Sequence, residues 1–152
     1  MRSLFFALTL LLCGWVVADE ARPVYVEVTE NSVSQYLLKW KVPPVMPDGQ
    51  EPRIKLQHPD CLLVNGGNAA GLIGRRLYQC EIKDAEAAFA VVLDYPRSNP
   101  ALTSLIVFKP FNEEPIQVFS GPEKTTVNIP LATSAGVVAK QYTVAGIENI
   151  LV

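Results

Sequence analysis

The chain has 152 residues, 49% of them hydrophobic and 18% charged, which suits one globular domain with a core of its own and is too short for two full domains. Its formal net charge is −2 and its pI is near 5.4. From that balance no basic surface of the kind that binds phosphate backbones is expected, and nucleic acid is not an expected partner.

The N-terminal stretch "MRSLFFALTLLLCGWVVADEARP" carries one arginine, an apolar run over positions 4–17, and the small residue Ala18 ahead of Asp19. This is the grammar of a secretory signal peptide over 1–18, cleaved after Ala18. The run falls short of the ~20 residues that a membrane-spanning helix needs. Cys13 follows Leu12, where lipoprotein processing wants a small residue, so a lipid anchor there is not expected. Loss of Arg2 with the peptide moves the formal charge from −2 to −3.

From Pro23 to Pro130 the hydrophobic pattern has period two, which places alternate side chains on opposite faces of a sheet. "VYVEVTE" sets Val24, Val26 and Val28 against Tyr25, Glu27 and Thr29. "QYLLKWKV" sets Tyr36, Leu38, Trp40 and Val42 inward against Leu37, Lys39 and Lys41 outward. "PPVMPDGQEP" is rich in proline, which cannot donate to a ladder, and holds an Asp-Gly turn signal, so it reads as an exposed loop.

Short strands follow in "RIKLQH", "CLLV", "LIGRRLYQCEI", "AFAVVLDYP", "ALTSLIVFKP", "PIQVFS" and "TTVNIP", each bounded by turn formers or acidic residues. In "GRRLYQC" the neighbours Arg75 and Arg76 must face opposite sides, one of them partly buried or guarding an edge. About seven or eight strands with no intervening helix predict an all-β, antiparallel sandwich of immunoglobulin-like type over 19–131.

Beyond Pro130 the alternation is lost. "LATSAGVVAKQYTVAGIENILV" places Val138, Tyr142 and Ala145 at helical spacing, with Val144, Ile147 and Leu151 beside them, and Thr133 or Ser134 can cap the start. A C-terminal helix is expected over 132–152. Its apolar face can pack on the sandwich or lie against a membrane.

Two cysteines, Cys61 and Cys80, remain after the signal peptide. In an oxidising compartment an even pair reads as a disulfide. The rival reading is a metal site in which His58, Asp60 and Cys61 of "HPDC" join Cys80, which requires free thiolates.

Catalytic chemistry finds little support. His58 is the lone histidine and sits at a strand end, where a hydrogen-bonding role is commoner than that of a general base. No serine lies in a Gly-x-Ser-x-Gly elbow. "NGGNAAGLIG" lacks the Lys-Ser/Thr of a phosphate loop and reads as a turn. The acidic pairs Asp19-Glu20 and Glu113-Glu114 would point apart on a strand and read as solvated residues rather than a chelate. Tyr25, Tyr36, Trp40, Tyr78 and Tyr95 fall at strand positions, where core packing is commoner than a sugar platform. No enzyme, no cofactor and no metal site is expected.

Three stretches taken together carry a resemblance. "DEARPVYVEVTE" directly after a signal peptide, followed by "YLLKWKVP", resembles the start of the extracytoplasmic domain in bacterial HupE/UreJ-like membrane proteins. The closing "QYTVAGIENIL" is similar to the segment that leads into their first transmembrane helix. The resemblance implies a place at the periplasmic face of the bacterial inner membrane. It also implies transmembrane helices as partners, in cis or on another chain, and nickel or another divalent metal as the transported species.

In the family that closing segment continues with Gly-x-Asp-His, and nickel permease members use a histidine, five residues, then Asp-His. Aligned on "GIENILV", the first histidine falls on Asn149, a neutral amide where nickel favours imidazole. The resemblance implies that the helix runs along or into the membrane surface, with Tyr142 and Asn149 in the membrane-proximal segment and Ile147, Ile150, Leu151 and Val152 directed to lipid or to further helices. The expected function is a non-enzymatic extracytoplasmic module of such a membrane protein. The alternative is a free-standing secreted binding domain.

Overall fold

The computed structural model describes residues 22–67, 70–82 and 88–130. The segment 1–18 and the helix expected over 132–152, with Tyr142, Ile147, Asn149, Ile150, Leu151 and Val152, lie outside the described residues. Within them the chain is all-β. Nine strands run in the order β1 (Val24–Ser32), β2 (Gln35–Lys41), β3 (Arg53–Gln57), β4 (Cys61–Gly66), β5 (Ile73–Cys80), β6 (Ala88–Asp94), β7 (Ser104–Lys109), β8 (Ile116–Ser120) and β9 (Thr126–Pro130).

Six of them form one sheet in the order β4-β5-β2-β1-β7-β8, and three form a second in the order β3-β6-β9. Alternation in the sequence becomes alternation in burial. Val24, Val26 and Val28 are buried while Tyr25, Glu27 and Thr29 between them are only partly so. On β2 the buried positions are Tyr36, Leu38 and Trp40, as the period-two pattern predicts. The two sheets contribute to one hydrophobic core, in which Phe89 of β6 meets Tyr36 and Phe108 edge-on at ring-centroid distances of 5.5 and 5.2 Å. Edge-to-face geometry suits the ring quadrupoles. A second tie links the sheets. The Leu56 backbone N–H of β3 donates to the buried Tyr78 hydroxyl of β5 at 3.2 Å.

The expectation of an antiparallel arrangement needs one correction. β1 pairs antiparallel with β2 but parallel with β7, Val24 beside Ser104 through Thr29 beside Lys109. Antiparallel neighbours can be joined by a hairpin, whereas parallel ones require a long crossover. Here the five intervening strands, which pass through both sheets, supply it. The proline-rich loop is also less exposed than its composition suggests, because Pro43 and Pro52 are buried and Met46 turns into the core at 8% exposure. Its Asp48-Gly49 turn is present, with Gly49 at φ +78°, a conformation that glycine adopts without steric cost.

Cys61 and Cys80 stand directly opposite each other in the β4–β5 ladder and are bonded, with S–S 2.06 Å. The pairing is the local result of register. β3 turns through His58-Pro59-Asp60 straight into β4, and the Cys61 N–H donates to the His58 carbonyl at 3.2 Å.

Candidate functional site

The smaller sheet covers only part of the larger one. β4, at the edge, is exposed along its length except for half-buried Cys61. Leu62, Leu63 and Val64 are 72%, 47% and 61% exposed, and Leu72, just ahead of the adjoining strand, is 39% exposed. A register shift between Leu63 and Asn65 interrupts the regular pairing with β5. The strand "CLLVNG" carries no charge and no proline, the residues with which exposed edges are usually protected.

The outer face of the larger sheet carries a second feature. Cross-strand register places Arg75, Lys39 and Glu27 in one row and Ile73, Lys41 and Tyr25 in the next. The Glu27 carboxylate lies at the centre of this face, its side chain 15% exposed. Lys109 donates to its Oε2 at 2.7 Å, the Tyr25 hydroxyl to the same oxygen at 3.0 Å, and the Thr29 hydroxyl to Oε1 at 3.4 Å. Lys39 approaches Oε1 at 3.8 Å. The Lys109 hydrogen bond holds the Glu27 pKa below its ordinary value despite partial burial, and the same contact raises that of Lys109. The Tyr25 hydroxyl is raised, by burial first and then by the Glu27 carboxylate.

A depression of about 430 Å³ opens here over β1, β2 and β5, lined by Tyr25, Glu27, Lys39, Lys41, Ile73 and Arg75 among others. A neighbouring hollow of about 400 Å³ shares Arg75 and is bordered by Asn31, Gln35, Asn65 and Arg76. Arg75 is exposed and Arg76 half-buried, on opposite sides of β5 as the sequence requires.

His58 Nδ1 accepts from the Asp60 backbone N–H at 3.1 Å and lies 3.9 Å from the Asp60 carboxylate, so the ring stabilises the β3–β4 turn. Bonded to each other, Cys61 and Cys80 leave His58 and Asp60 without the two thiolates of the rival metal reading. Among the described residues no group of three or more histidines, cysteines or carboxylates is placed to hold a metal ion. Tyr36, Trp40 and Tyr78 are core residues; Tyr36 donates to Glu30 at 3.2 Å, and burial followed by that carboxylate pushes its pKa up to about 12.

The sequence reading missed the Glu27 cluster. Its only available signal was the outward set Tyr25, Glu27, Lys39 and Lys41 in the first two strands. Lys109 lies 82 positions from Glu27, so nothing local joins them. Compared with protein-family models, with curated proteins and with solved structures, the chain matches none.

Proposed function

We propose that this chain is a non-enzymatic, extracytoplasmic interaction module with an immunoglobulin-like β-sandwich fold. It works at the outer face of a bacterial inner-membrane protein of HupE/UreJ type, with nickel or another divalent cation as the species that protein moves. The fold proposal rests on two sheets that share one core. The exported placement rests on the signal-peptide grammar, and the Cys61–Cys80 disulfide is compatible with an oxidising compartment. The membrane partner and its cation rest on the sequence resemblance.

One observation carries the interaction reading: the uncovered, uncharged β4 edge with Leu62, Leu63 and Val64 exposed. An apolar patch next to open backbone donors and acceptors loses free energy when a partner covers it. An extended apolar segment of the membrane partner fits it by adding main-chain hydrogen bonds at the edge and side-chain contacts beside it.

Cell fractionation of the exported chain tests this reading. Wild type is expected in the membrane fraction, and Leu62→Asp/Val64→Asp in the soluble fraction with its disulfide intact. A wild-type chain that is wholly soluble and monomeric would instead establish the free-standing secreted binding domain. Membrane association that survives the double substitution would move the docking surface away from β4.

A further inference from the structure

We propose that the depression over β1, β2 and β5 binds a phosphate ester that carries an apolar substituent. The site lies on the face of the larger sheet, not on its β4 edge, and stands independently of the docking reading.

Charge is segregated on this face. Outward strand positions carry Lys39, Lys41, Arg75 and Lys109 against the single carboxylate of Glu27, in a chain whose formal net charge is −2. Glu27 is already engaged: Lys109 and Tyr25 share one oxygen, and Thr29 and Lys39 approach the other. It has little left to offer Lys41 and Arg75, neither of which has an ion-pair partner among the described residues.

The register sharpens the point. Lys39 and Arg75 are direct cross-strand neighbours, and like charges so placed repel. An anion between them would turn that repulsion into attraction. Lys39, Lys41 and Arg75 line this hollow together with the already engaged Glu27 carboxylate, and the cationic excess favours a doubly charged phosphate monoester over a single carboxylate; the planar Arg75 fork suits bidentate contact with phosphate oxygens. Tyr25 and Ile73, the latter 75% exposed, flank the same hollow and offer apolar surface for the substituent. The ester could be a free metabolite or a lipid headgroup, and the recognition chemistry is the same.

Amide chemical shifts of the isotope-labelled exported chain provide the test, with n-hexyl phosphate as soluble probe and vesicles containing phosphatidic acid or only phosphatidylcholine as the lipid arm. Saturable shifts at Lys41, Gly74 and Arg75 with hexyl phosphate are expected, weakening as salt rises. Binding should become about tenfold weaker in Arg75→Gln/Lys41→Gln, the loss of about 1.4 kcal/mol of attraction. Shifts with phosphatidic acid vesicles alone, absent with phosphatidylcholine and lost in the double variant, would assign the phosphate to a lipid headgroup. No saturable response to either phosphate source, or one unchanged in the variant, would overturn the proposal.

Discussion

Glu27 shows how one carboxylate can be held half out of water on a sheet face. Three donors reach it within 3.4 Å, and the shortest contact, from Lys109, lowers its pKa from the ordinary 4.5. Linkage then fixes the sign. Above pH 4.5 the unfolded carboxylate is ionised too, and the contribution of the Glu27 contacts is fully present. As pH falls from there through the lower folded value, the unfolded state takes up the proton first and that contribution is lost. Glu27→Gln should therefore flatten the acid limb of stability against pH, at a cost at neutral pH on the order of 1 kcal/mol. Denaturant melts of both proteins between pH 3 and pH 7 would show it; parallel curves would remove the cluster from the energetics.

Gly74 is the counterpart on the inner side of the same sheet. It faces Trp40 in the β2–β5 register, and a Cβ at that position would overlap the indole ring. Trp40 is 2% exposed and donates its Nε1–H to the Gly71 carbonyl at 3.1 Å, so the ring has little room to retreat. Gly74→Ala is expected to cost about 1–3 kcal/mol by overpacking. Thermal unfolding followed by tryptophan fluorescence would read both the loss and the displaced ring.

At the scale of elements, the Cys61–Cys80 bond fastens the exposed β4 strand to β5 across a sequence separation of 19. A loop of that size corresponds to about 3 kcal/mol of stabilisation in the chain-entropy account. Cys61→Ser/Cys80→Ser should lose about that much and raise hydrogen exchange first along β4, which the smaller sheet does not cover. Unchanged exchange there would mean that the ladder holds β4 unaided.

Loops are tied in a different way. Asn99 donates from Nδ2 to the carbonyls of Leu102 at 2.9 Å and Pro122 at 2.8 Å, and accepts from the Leu102 N–H at 2.9 Å. One side chain thus joins the β6–β7 and β8–β9 connections, next to Ala101, which has φ +62°. Such a φ is costly for a residue with a Cβ, and the Asn99 bonds help to hold it.

What could be read ahead of the coordinates follows from the range of each interaction. Facing of Val24, Val26 and Val28 depends only on period two, and the Asp48-Gly49 turn only on a dipeptide, so both were legible. The paired cysteines were legible from compartment and parity. The parallel β1–β7 contact and the gathering of Lys109 beside Glu27 depend on sheet order, to which no local pattern is sensitive. The exposure of Leu62, Leu63 and Val64 was hidden for a related reason: an apolar "CLLV" reads as core until the unequal strand numbers of the two sheets are known.

Across the described residues as a whole, inequality between the sheets underlies the proposed function. Among the described residues, six strands against three leave one sheet with an uncovered edge and an open outer face, with apolar and cationic groups exposed on them. The proposed partner at β4 is best sought in the cell, with a photo-crosslinking amino acid at position 62 and, as control, at exposed Lys55 in the smaller sheet. A discrete adduct with a membrane-embedded protein from position 62 and none from position 55 is the expected result. No adduct from position 62, or equal labelling from both sites, would contradict docking through this edge.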